Sequence, residues 1–126
     1  MLAKQKFQIF FPEAKCYQVG NGYAIYIGDL QKCSEGSTAQ RAWSNAWYPL
    51  CRDIMNNLRK HFHILISVIE THEGWSSYNH QTGEWEKHTW LSFRDDPELS
   101  HLWSDIPMVQ SGPKPVSVLD LWSTLD

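Results

Sequence analysis

Apolar residues in the middle of the chain recur three and four positions apart. Trp43, Trp47, Leu50, Cys51, Ile54 and Leu58 form one stripe, while Arg41, Asn45, Arg52, Asn56 and Arg59 fall mostly elsewhere. This spacing predicts a helical region from Ser37 to Lys60. At its start Ser37 and Gln40 have the Ser-x-x-Gln separation in which each side chain satisfies an orphan amide of the first turn. Pro49 lies inside the region. An interior proline removes a hydrogen bond and crowds the preceding turn, so a kink or break is expected near Tyr48, with two short helices as the alternative.

Elsewhere the period is two, or none. "KFQIFF" (Lys6–Phe11) alternates Phe7, Ile9 and Phe11 with Gln8 and Phe10 and stops at Pro12, which predicts a first strand. "GYAIYIGD" (Gly22–Asp29) predicts a second, preceded by turn chemistry in "VGNG", and the two are expected to pair antiparallel. "FHILISVIE" (Phe62–Glu70) is an aliphatic, β-branched run without helical spacing, expected as a central strand buried on both faces. "WSSYNHQTGEWEKHTWLSF" (Trp75–Phe93) predicts a hairpin turning at His80–Gly83. One face would carry Trp85, Lys87, Thr89, Leu91 and Phe93, and the other Glu86, His88, Trp90 and Ser92. Asp96 as a cap, with Pro97 and Glu98 in the first turn, predicts a short helix that ends before Pro107.

The final stretch carries Val118, Leu121, Trp122 and Leu125 at helical spacing, with Ser117 and Asp120 as a cap-like pair. A helix of about nine residues is marginal alone in water, so it is expected to dock, either as a lid on its own domain or in the groove of another chain. The fold class that follows is α+β. A largely antiparallel sheet of four to five strands would pack on the one helical region, in the order β-β-α-β-β-β with short C-terminal helices. Residues 1–112 are expected to form one domain, and residues 113–126 a linker and short amphipathic helix.

Composition changes this picture in two places. Seven tryptophans among 126 residues supply a core and exclude disorder, yet the same amphipathic ring also serves binding surfaces. Charge is uneven: residues 1–60 hold eight basic and four acidic side chains, residues 61–126 three and ten. A field of that kind steers a charged partner or pairs two copies in a homodimer. The basic residues are spread out, so direct nucleic-acid binding is not expected. Three cysteines without C-x-x-C spacing indicate neither a disulfide framework nor a zinc site, and with no signal-peptide pattern or apolar span a cytoplasmic protein without membrane contact is expected.

Catalytic signatures are absent: there is no G-x-S-x-G, H-E-x-x-H, P-loop or G-x-G-x-x-G pattern. "YAIYIG" (Tyr23–Gly28) resembles the second half of the GIY-YIG nuclease signature over six residues. Its upstream Gly-Ile-Tyr is missing, so no catalytic set is carried over, the nearest equivalents being Tyr17, Tyr26, Arg41 and Glu70. "HFH" places His61 and His63 on one side of an extended segment, and His72, His80 and His88 lie among Glu70, Glu73, Glu84 and Glu86. Neither set has a diagnostic metal spacing, and no cofactor is expected.

The leading expectation is therefore a non-enzymatic protein-binding module of inhibitor, immunity or adaptor type. Its partner-binding residues would be Trp75, Tyr78, Glu84, Trp85, Glu86, Trp90 and Trp122, aromatic anchors ringed by carboxylates. Such a surface suits a basic protein partner, for instance a nucleic-acid enzyme with a positive groove. The alternative is a small enzyme or ligand-binding domain whose pocket, with Tyr26, His63, Glu70 and His88 as polar lining, lies between sheet and helix.

Overall fold

A computed structural model describes residues 1–28 and 31–107. The class is α+β, but the strands form two three-stranded antiparallel sheets instead of one sheet of four or five. The elements in chain order are α1 (Ala3–Phe10), β1 (Ala14–Val19), β2 (Gly22–Ile27), β3 (Gln31–Gly36), α2 (Ala39–Phe62), β4 (Ile66–Thr71), β5 (Gly74–Asn79), β6 (Glu84–Thr89), α3 (Trp90–Asp95) and α4 (His101–Ser104). The chain divides into two compact units, one built on Leu2–Pro49 and the other on Leu50–Ile106.

In the first unit, the segment expected as a strand at Lys6–Phe11 is helical. Phe7, Phe10 and Phe11 also stand at i, i+3 and i+4, and a short apolar run does not separate the two periods. Tertiary contact decides: Phe7 meets Trp43 at 6.2 Å between ring centroids, and Phe10 stacks on Trp47 at 6.0 Å. Gln5 accepts the Leu2 amide at 2.9 Å, which satisfies an orphan donor at the helix start. The strand that pairs with β2 is therefore β1, in register Tyr17↔Ala24 and Val19↔Gly22. The turn chemistry of "VGNG" closes this hairpin, with Gly20 in the left-handed region at φ 60°.

β3 adds to the other side of β2 with a bulge: Ile25 opposes Ser34, whereas Tyr26 opposes Lys32, which leaves Cys33 as the extra residue. The bulge puts Lys32 and Glu35 on the same face although they are three residues apart, and there they form an ion pair.

Helix α2 begins one residue later than the Ser37 cap implied. Thr38 Oγ1 accepts the Arg41 amide at 3.1 Å, the N-cap geometry that Ser37 was expected to supply. The helix runs unbroken through Pro49, and Trp43, Trp47, Leu50, Cys51, Ile54 and Leu58 are all buried, as the stripe requires.

The second unit starts from the later turns of α2. The run Phe62–Glu70 is not a central strand: α2 continues to Phe62, His63 takes φ 54°, and β4 begins at Ile66 as one edge of the sheet β4-β5-β6. Val68 is its buried residue, while Ile64, Leu65 and Ile69 are exposed. His61 accordingly sits on a helix and His63 after it, so they do not share an extended face.

The hairpin forms as expected between β5 and β6. Asn79 Oδ1 accepts the Gln81 and Thr82 amides at 2.8 and 3.2 Å, and Gly83 at φ 72° closes the turn. The second strand of the hairpin ends early. Thr89 Oγ1 caps the Ser92 amide, and Trp90–Asp95 turn into α3, so Leu91 and Phe93 do not extend the strand face. Asp96 caps as expected, Oδ1 accepting the Glu98 amide at 2.9 Å, although the regular helix after it is only α4. Leu50, Ile54, Leu58, Val68, Trp75, Trp90, Phe93, Leu99 and Leu102 are buried in this unit.

No described helix is long and apolar enough to cross a membrane. The C-terminal residues Val118, Leu121, Trp122 and Leu125 lie outside the described residues, and so does the helix expected there.

Candidate functional surface on the second sheet

Cross-strand register sorts the side chains of the second sheet onto two faces. Ser67, Tyr78 and Trp85 are opposite one another and share a face with Ile69, Ser76 and Lys87. Val68, Ser77 and Glu86 share the other face with Glu70, Trp75, His88, Asn79 and Glu84. The second of these is the inner face: Cys51 on α2 donates its thiol to Glu70 Oε2 at 3.0 Å, and Phe62 lies 6.1 Å from Trp75.

This sorting divides the residues expected to bind a partner. Trp75 and Trp90 are buried, Trp75 in a T-shaped contact with Phe93 at 6.3 Å and Trp90 in another at 6.1 Å. They build the core and offer no contact surface. Trp85 keeps 57% of its surface exposed and rests on Tyr78 at 5.1 Å. Glu84 and Glu86 are exposed on the same strand, but their side chains leave from the opposite face to Trp85. The aromatic pair is thus not ringed by those carboxylates; they meet only around the β6 edge. Trp122 lies outside the described residues.

Three residues beside the aromatic pair, Ser67, Ile69 and His80, were not among those expected to bind a partner. His80 Nε2 lies 2.6 Å from Ser67 Oγ, and its ring meets Tyr78 edge-on at 5.1 Å, which holds that end of the face in one arrangement. Ile69 is exposed on the same face as Trp85 and the half-buried Tyr78. The signal that could have found them is the pairing register: once Ser67 is placed opposite Tyr78, the alternation of β4 puts Ile69 on the same face.

Of the residues expected to line the alternative pocket, Tyr26 belongs to the first unit and His63, Glu70 and His88 to the second. Glu70 and His88 both flank Trp75 across the strands, but Glu70 takes the Cys51 thiol and His88 Nε2 lies 3.0 Å from Ser77 Oγ. Burial lowers the pKa of His88 below the ordinary histidine value, with Glu86 and Asp96 acting in the opposite direction. No group of three or more His, Cys, Asp or Glu among the described residues is placed to hold a metal ion.

A cleft of about 300 Å³ lies on the first sheet and is lined by Val19, Gly22, Tyr23, Ala24, Tyr26, Lys32, Glu35 and Gly36. It includes Tyr26 from the expected lining and none of His63, Glu70 or His88.

Comparison of the chain with protein-family models, with curated proteins and with solved structures found no match.

Proposed function

We propose that this chain is a non-enzymatic protein-binding module that meets a basic protein partner with the outer face and β6 edge of its second sheet. The observation that carries this reading is the exposure of Trp85 on a formed sheet, packed at a tilt against Tyr78, with Ile69 also exposed on the same face. An aromatic side chain held in that way offers a large contact area at little further ordering cost, the property of interface anchors. Glu84 and Glu86 stand on the same edge strand, so a partner that clasps the edge meets carboxylates on one side and the aromatic pair on the other. The acidic balance of residues 61–126 favours a basic partner.

The test is retention from a lysate of the source organism on immobilised full-length protein, with Trp85→Ala, Tyr78→Ala and a Glu84→Gln/Glu86→Gln double variant alongside. A protein retained by the parent, lost with Trp85→Ala, and released as salt rises from about 0.1 M to about 1 M (screening length from roughly 10 Å to roughly 3 Å) supports the proposal. Equal retention by parent and variants, or nothing retained by the parent, overturns it.

A further inference from the structure

β6 is an edge of the second sheet, and the bond at its end fixes which of its backbone groups point outward. The Trp90 amide donates to the Glu73 carbonyl at 3.2 Å. Hydrogen-bonded and non-hydrogen-bonded pairs alternate along an antiparallel ladder, so the bonded pairs that follow are Trp75–His88, Ser77–Glu86 and Asn79–Glu84. Trp85, Lys87 and Thr89 therefore turn their N–H and C=O groups away from β5. The Thr89 carbonyl accepts the Ser92 hydroxyl at 3.0 Å, but no group among the described residues bonds to the backbone of Trp85 or Lys87.

The same alternation sorts the side chains of this edge. Glu84, Glu86 and His88 leave from one face, with Asp96 near His88, and Trp85, Lys87 and Thr89 leave from the other. All six strand residues are exposed except the half-buried His88. A strand bonded to the Trp85 and Lys87 backbone sets its intervening residues opposite Glu84 and Glu86, at the closer Cα spacing of about 4.5 Å. Two basic residues there pair with the carboxylates, and the residue between them meets Trp85. A second copy of β6 does not fit in this way. The two twofold registers with the longest overlap set Glu86 against Glu86 or Lys87 against Lys87, and the next sets Glu84 against Glu86.

We propose, resting on the binding role proposed above for this sheet, that the partner adds an extended basic segment to the β6 edge, main chain to main chain at Trp85 and Lys87. Its chemistry is then specific. The segment carries Arg or Lys on both sides of an apolar residue, and an acidic or uncharged residue opposite Lys87. Backbone bonds supply affinity, while Glu84, Trp85, Glu86 and Lys87 select the sequence. The other edge of the sheet, β4, has no such carboxylate pair: Glu70 is its one acidic residue, and it takes the Cys51 thiol.

The test titrates the unsubstituted full-length protein by NMR with the peptide Ac-Thr-Glu-Arg-Val-Arg-Thr-NH2. Two further peptides are compared: the same one N-methylated at Val, and the charge-reversed Ac-Thr-Lys-Glu-Val-Glu-Thr-NH2. The Trp85 and Lys87 amides should become protected from exchange. N-methylation, which removes the donor to the Trp85 carbonyl, should weaken binding about tenfold, the effect of one lost hydrogen bond. No protection at millimolar peptide, or equal affinity for all three peptides, overturns the proposal. The retention experiment adds Lys87→Pro, which removes an outward amide and no bond to β5, with Lys87→Thr as its control. Loss of the partner with Lys87→Pro alone, at an unchanged urea midpoint, supports strand addition. Retention by both, with loss at Trp85→Ala, overturns strand addition and leaves the binding role standing. A parent that retains nothing overturns the binding role and this proposal with it.

Discussion

The His88 imidazole lies flat on the Trp75 indole, with ring centroids 3.9 Å apart and planes 17° from parallel. One ring belongs to the core and the other to an edge strand, so this contact ties β6 to the buried aromatic cluster. Removing the His88 ring from water lowers its pKa. A depressed folded-state pKa means that the unfolded chain binds the proton more readily. The stabilisation is complete above the ordinary histidine value of about 6.5 and is lost as pH falls from there through the folded value. Urea midpoints measured from pH 7.5 down to pH 5 should fall for the parent and fall less steeply for His88→Gln. Identical slopes would assign the pH dependence to other groups.

Trp75 and Trp85 are ten residues apart, and their substitutions should separate core from surface. Trp75→Ala is expected to cost about 3–5 kcal/mol, the range for deleting a large buried aromatic side chain. Trp85→Ala should cost at most about 1 kcal/mol, the scale of a cross-strand pair, while removing partner binding. Chemical unfolding of both variants, set beside the retention experiment, checks this. Comparable losses of stability would contradict the division of the two faces.

Gly74 is paired with Thr89 across the strands, and a Cβ there would run into the backbone carbonyl of His88. Backbone cannot swing away as the end of a flexible side chain can. Gly74→Ala should therefore push β6 off β5 and cost about 1–3 kcal/mol, the usual scale of overpacking. Faster amide exchange confined to β5 and β6 would identify the cause, and an unchanged unfolding midpoint would refute it.

Cys33 is the extra residue of the β3 bulge, and burial is the main force that pushes its thiol pKa up to about 12, with Glu13 adding to the effect. The thiolate is the reactive form, so native Cys33 should resist iodoacetamide at pH 8 and react only after unfolding. Mass spectrometry of the alkylated peptides gives the rate. Alkylation of the native protein at the rate of an ordinary free thiol would rule out the shift.

The sequence by itself determined the elements whose signal is local. The α2 stripe from Trp43 to Leu58 is long enough that only the helical period fits it, and the hairpin turn at His80–Gly83 is held by Asn79 and by a glycine at positive φ. Both follow from short-range sterics and hydrogen bonding, which a sequence carries in full. Tertiary structure decided the elements whose pattern served two periods or none. Phe7, Phe10 and Phe11 fit a strand and a helix alike until Trp43 and Trp47 supplied a partner surface. β1, with Lys15, Gln18 and two turn residues after it, had no hydrophobic period to announce it, and its existence depends on β2 lying alongside.

The same distinction governs the candidate site. Nothing in "WSSYN" and "EWEKHTW" tells Trp75 from Trp85, because strand alternation gives opposite faces without saying which is covered. The covering elements are α2 and α3, 13 residues before Trp75 in the case of Phe62 and 18 after it in the case of Phe93. Burial is a property of that distant packing, and it turned one tryptophan into core and left the other exposed.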